Sequence, residues 1–126
     1  MVILLEICKT QLHILMFFLE KYRIIGGYAI CAGLEQVIDY IKNLKFNEDD
    51  IEYLKSLNKF SDNFLDYLRS FKFTGDVWAI PEGTVVFPGE PLITVRAPII
   101  EAQILETMIL MIINHWELLV LRKVLL

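Results

Sequence analysis

Asp76, Glu82, Glu90, Glu101, Glu106, His13 and His115 are the side chains of this 126-residue chain best suited to moving protons or activating a nucleophile. Such work needs paired carboxylates in one pocket, or a nucleophile within hydrogen-bond reach of a base. The spacing assembles neither. Asp76 follows Thr74-Gly75 and reads as a turn residue. Glu82 and Glu90 fall in Pro-Gly turns, where solvation is expected. Glu101 and Glu106 are five apart, which does not put them on one helix face, so they are no dyad. His115, beside Asn114, reads as a histidine satisfied near a helix C-terminus. Gly26-Gly27 lacks the spacing of a phosphate loop and takes a backbone role. Trp78 and Phe87 are expected in a sheet-face core. The turn Pro88-Gly89-Glu90-Pro91 carries no lysine, which a lipoyl or biotinyl carrier would require. No catalytic, cofactor-binding or metal-ligating residue is assigned.

The elements around these residues are better specified. Leu34, Val37, Ile38, Ile41 and Leu44 recur at helical spacing, predicting an amphipathic helix over 33–44 with Glu35, Asp39 and Lys42 outward. Asn47 reads as an N-cap followed by Glu48, Asp49 and Asp50, which complement the positive end of the helix dipole. Phe46 and Ile51 hold the positions of a hydrophobic staple, and Ile51, Leu54 and Leu57 the buried stripe. Ser61 then caps a second short helix, with Phe60 and Leu65 as staple and Phe64, Leu65 and Leu68 inward. From Phe71 the period changes to two. Strands are predicted over 77–80, 84–87 and 92–96, joined as hairpins by Pro81-Glu82-Gly83 and Pro88-Gly89-Glu90-Pro91. Pro98 fits the first turn of a last helix. Over 99–113 its apolar residues cover nearly the whole circumference, Glu101, Gln103, Glu106 and Thr107 excepted. Such a helix is expected to be buried on most sides. One small sheet covers one side only, so the remaining apolar face predicts a homo-oligomer, a dimer, or an aggregation-prone fragment.

The bulk numbers set limits. The mass of 14.7 kDa suits one domain. Apolar residues make up 56% and charged ones 22%, which excludes a disordered chain. A net charge of −4 with no Lys/Arg cluster in the sequence argues against nucleic acid. Cys8 and Cys31 form neither a disulfide framework nor a metal spacing, and read as reduced thiols of a cytoplasmic protein. The mean hydropathy of +0.51 raises a membrane reading. Against it, no uncharged run exceeds eleven residues, and the one in the last helix, 107–116, has ten, while a bilayer-spanning helix needs about 20. The apolar opening is interrupted by Glu6, Lys9, His13 and Glu20 and has no signal-cleavage site.

Four stretches resemble the N-terminal domain of nicotinate phosphoribosyltransferases: GGYAICAGLEQVIDYI at 26–41, FTGDVWAIPEGTVVFPGEPLITVRAP at 73–98, IEAQILET at 100–107 and IINH at 112–115. The resemblance implies an α+β fold: short amphipathic helices, a small antiparallel hammerhead-like sheet and a long apolar helix, without the family's barrel domain. It also implies the family's chemistry, in which nicotinate, phosphoribosyl pyrophosphate and ATP, with Mg²⁺, give nicotinate mononucleotide for NAD biosynthesis. ATP cleavage is coupled through a phosphohistidine. By the resemblance, that histidine, the substrate arginines and the phosphate loops belong to the barrel, downstream of this chain's end. The family's upstream T-D-x-Y motif is absent here as well. No family site residue falls on a matching position, and His115 is not the phosphohistidine. A fragment inactive by itself is therefore expected, with no cofactor of its own.

The resemblance covers 26–115 and fades at both ends, dividing the chain into 1–25, 26–115 and 116–126. Family members read T-I-A-Y-F-D near the position of Thr10–Met16. With the synonymous choice ACA CAA TTG CAT ATT TTG ATG, that segment gives those residues when read two bases later. Glu117–Arg122 behave alike, giving V-I-S-T-K in the same offset. Both ends thus read as out-of-frame translations, whose apolar content was never selected for packing. Two further functional expectations differ in class: a noncatalytic fragment docking on an intact homologue through residues 99–113, and a small membrane-associated protein using 1–18 and 104–126.

Overall fold

The computed structural model describes residues 11–18 and 28–125, with side chains up to residue 115. Their order is β1 (Leu12–Phe18), β2 (Ala29–Ile30), α1 (Leu34–Asn43), α2 (Glu48–Ser56), α3 (Asp62–Arg69), β3 (Asp76–Ala79), β4 (Val85–Val86), β5 (Pro91–Pro98) and α4 (Ile99–Leu125). This is the expected α+β class, with short helices, small antiparallel sheets and one long helix. Cys8 and Gly26-Gly27 lie outside the described residues.

The short helices start where the local chemistry dictates. At α2 the Asn47 side chain accepts the Asp50 N–H at 2.8 Å, and the Asp50 carboxylate accepts the Asn47 N–H at 3.0 Å, a full capping box. At α3 the Ser61 hydroxyl accepts the Phe64 N–H. Phe60 stacks on Phe64 at 5.6 Å. Ile51, Leu65 and Leu68 form a small buried cluster with Phe46, Leu54, Phe64, Tyr67 and Ile104 packed on it. Leu57, expected in the stripe, sits at the C-cap and is exposed. In α1 Val37 is fully buried, while Ile38 turns outward.

The sheet differs from the expected run of hairpins. Central β5 pairs antiparallel with β1 on one side and with β3 on the other, while β4 pairs with β2. The β3–β4 turn is fastened to another segment: Cys31 N–H donates to Thr84 C=O, and Gly83 N–H to Cys31 C=O, both at 2.9 Å. Those bonds carry β4 away from β3. Trp78 and Phe87, expected in the core, are 53% and 52% exposed. Trp78 lies on the outer face, with the Arg96 guanidinium 5.4 Å from its ring centre. Strand β1 was not expected at all. Its β-branched and aromatic residues fit a pleated strand, yet both of its faces are apolar, and Leu12, Ile14, Met16 and Phe18 are exposed.

Helix α4 buries one stripe, Ala102, Leu105, Ile109 and Ile113, against Val86, Leu92, Ile93 and Val95 of the main core. It is not covered on most sides, because Leu110 and Met111 are 42% and 59% exposed. Pro98 ends β5, and the helix begins one residue later. Among the described residues, no helix is long and apolar enough to cross a membrane.

Candidate functional site

The most buried charged side chain belongs to Glu101, in the first turn of α4, at 4% exposure. Its carboxylate grips one residue with both oxygens: Thr74 N–H donates to Oε2 and Thr74 O–H to Oε1, each at 2.9 Å. Each oxygen so accepts a charge-assisted hydrogen bond, which offsets part of the cost of burying the carboxylate. Tyr67 stands close enough to feel that charge. Burial, and secondarily Glu101, push its phenol up to about 12. The arrangement locks the loop before β3 onto α4.

The other candidate carboxylates are engaged in the same manner. Glu82, expected to be solvated, is exposed at its rim but accepts the N–H groups of Gly33 and Glu35 at 3.1 Å each. It caps α1 from 47 residues away, where the N-cap Gly33 has no side chain to do so. Glu90 accepts Phe87 N–H and closes its own turn. Asp76 is a strand residue, not a turn residue, opposite Arg96 in β5 and ion-paired with it at 2.6 Å. Glu106 lies on α4, half-buried. His115, expected at a helix end, lies inside α4, which continues to Leu125. His13 faces inward from β1 opposite Ala97, and its buried Nε2 has no partner. Glu101, Glu106 and His115 share α4, while Asp76, Glu82, Glu90 and His13 lie elsewhere along the chain.

Folding does gather cations that are scattered in the sequence. Lys42, Lys45, Arg69 and Lys72 rim a groove of about 770 Å³ with Phe46 and Phe73. It lies beside the C-terminal ends of α1 and α3. Cations at helix C-termini offset the negative end of the dipole, and Arg69 is further paired with Glu48 and Asp66. The cluster is not visible along the sequence because its members come from two helices and two separate loops. Cys31 is a buried thiol outside any disulfide, with Sγ 3.7 Å from the Ile80 carbonyl. The void beside it, about 10 Å³, is too small for a ligand. Among the described residues, no group of His, Cys, Asp and Glu side chains comes together in a way that would hold a metal ion.

The described residues thus define an α+β domain in which Asp76, Glu82, Glu90 and Glu101 bind other parts of the domain. The family model of the nicotinate phosphoribosyltransferase N-terminal domain matches residues 8–114, and the chain belongs to that family. It is 52% identical over 84 residues to nicotinate phosphoribosyltransferase pncB2 of Mycobacterium tuberculosis, covering 67% of this chain and 18% of that protein. It is 38% identical over 101 residues to the Bacillus subtilis nicotinate phosphoribosyltransferase, covering 80% and 21%. The crystal structure of human nicotinic acid phosphoribosyltransferase superposes with a TM-score of 0.78 at 27% identity, over 85% of this chain and 22% of the human one. The chain spans about a fifth of the length of these relatives.

Proposed function

We propose that this chain represents the N-terminal domain of a cytoplasmic nicotinate phosphoribosyltransferase. The reaction of the whole enzyme joins nicotinate to phosphoribosyl pyrophosphate with ATP cleavage, in NAD biosynthesis. The chain by itself does not carry out that reaction. One observation carries this reading: Asp76, Glu82, Glu90 and Glu101 are each bound to a backbone amide or an arginine within the domain. Carboxylates so engaged serve the domain's own structure. Purified chain supplied with nicotinate, phosphoribosyl pyrophosphate, ATP and Mg²⁺ should form no nicotinate mononucleotide. Turnover above the no-protein blank would refute the reading.

A second reading rests on α4. Its exposed Leu110 and Met111 interrupt an otherwise polar edge of the packed helix and suit docking, either on an intact homologue or on another copy. Co-purification with a full-length homologue, lost in Leu110→Lys/Met111→Lys, tests it. The two ends are read as out-of-frame translations. Support comes from β1, which has an apolar outer face and an inward histidine with an orphaned nitrogen, as expected of residues not selected for their places. Sequencing the encoding DNA decides the matter. Absence of family-like residues in the offset frame at both ends would end the idea.

A further inference from the structure

Among the described residues, strand β1 is the outermost strand of its sheet, bonded to β5 on one side. The direction of its remaining backbone groups follows from one bond. Ile99 N–H donates to Gln11 C=O at 3.1 Å, so Gln11 points its backbone groups toward β5. In an antiparallel ladder that direction alternates. His13 and Leu15 therefore also point toward β5, while Leu12, Ile14 and Met16 point their N–H and C=O groups to the open edge. Pro98 stands opposite Leu12 and has no N–H to give, which agrees with that phase. The residues with outward backbone groups are the same ones whose apolar side chains are 61%, 63% and 48% exposed. An edge of this kind is ordinarily protected by charge, proline or a bulge. Here the stretch has no charged residue and no proline, and its one irregularity comes at Phe17/Phe18, after the open run.

We propose that β1 is a self-association edge, pairing antiparallel with β1 of a second copy about a two-fold axis at Leu15. The strand's own phase and its apolar outer face fit this occupant. A two-fold at Leu15 sets Ile14 opposite Met16, so outward-pointing residues meet outward-pointing residues, and brings Leu12 opposite Phe18. The central Ile14–Met16 pairs alone form about four backbone hydrogen bonds. Every facing side chain on the outer face is apolar, and no like charges meet. The proposal concerns a surface separate from Leu110 and Met111 and does not depend on the enzymatic reading.

Sedimentation velocity of the full chain from about 1 to 100 μM, with hydrogen exchange at both ends of that range, tests the pairing. The expected result is a concentration-dependent dimer in which the Ile14 and Met16 amides gain protection on association. Ile14→Lys/Met16→Lys should weaken self-association at least about tenfold with unchanged far-ultraviolet dichroism, and Leu110→Lys/Met111→Lys should not. Both lysines would replace exposed side chains, so the fold tolerates them. A monomer throughout the range overturns the proposal. So does a dimer broken only by the α4 variant. If larger assemblies form, protection at Ile14 and Met16 upholds the edge, and its absence overturns it.

Discussion

Gly75 offers the sharpest test of the packing. A Cβ built on it would lie 2.4 Å from the Arg96 carbonyl oxygen, 2.6 Å from the Ala97 Cβ and 2.9 Å from the Phe73 ring. The first two neighbours belong to β5, which is bonded on both sides. That strand cannot retreat without loosening the ladder to β1 or β3. Overpacking a core costs about 1–3 kcal/mol, and an immovable backbone neighbour puts Gly75→Ala near the top of that range. The stiffer unfolded chain returns about 0.4–1 kcal/mol, leaving a net loss of roughly 2 kcal/mol. At about 4 °C per kcal/mol for a domain of this size, the melting temperature should drop by roughly 8 °C, with the urea m-value unchanged.

Gly83→Ala is the matched control. Nothing lies within 4 Å of its added Cβ, but the backbone there has φ of +82°. Its cost should come from the left-handed conformation alone, about 1 kcal/mol. Urea titration of both variants separates the two mechanisms. A Gly75→Ala protein as stable as the parent, or more so, would show that the Thr74–Asp76 segment does not sit against β5 as described.

Glu82→Ala should cost about 1 kcal/mol by uncapping α1, read as a lower urea midpoint, while Glu82→Gln keeps an acceptor and should lose less. Asn47→Ala should cost a similar amount through the capping box, and Asp50→Ala should add little once Asn47 is gone, since the two act as a pair. Tyr67 sets an alkaline dependence. Its folded pKa is raised to about 12 from 10.0, so the folded state holds the proton longer than the unfolded state does. Its contribution is therefore fully present below about pH 10 and is lost as pH rises from there through about 12. Ultraviolet titration of the phenolate should place this tyrosine last, and in Glu101→Gln still above 10, because burial is the larger cause.

What could be read beforehand was local. Asn47, Ser61 and the stripes at Val37, Ile51 and Leu65 encode their helices within a few residues, and these stand where the periodicity puts them. What could not be read depends on partners far along the chain. The turn at Pro81-Glu82-Gly83 looks like a hairpin until Cys31 captures its Gly83-Thr84 end. Glu82 looks solvated because the helix it caps begins 47 residues earlier. Trp78 looks like core because its size outweighs the one fact that matters, which face of β3 it occupies. The cations of the groove belong to separate elements and meet only after α1 and α3 are placed.

The first turn of α4 is where the two apolar clusters are joined. Ala102 and Leu105 belong to the main core, while Ile104 packs on the cluster around Ile51. Between them Glu101 fixes Thr74 and lies beside Tyr67. One helical turn therefore sets how α2 and α3 sit relative to the sheet. Apolar contact alone would allow that turn to slide, because a smooth surface of isoleucine and leucine has no preferred register. The paired bonds to Thr74 remove the freedom. Glu101→Ala strands a backbone amide and a hydroxyl and should cost about 2–3 kcal/mol. Glu101→Gln keeps one acceptor and should cost roughly half as much. Thr74→Ala removes only the hydroxyl partner and should cost about 1 kcal/mol, with an interaction energy of similar size in the double-mutant cycle. A neutral Glu101→Ala, measured by urea unfolding, would mean that shape complementarity suffices to hold the joint.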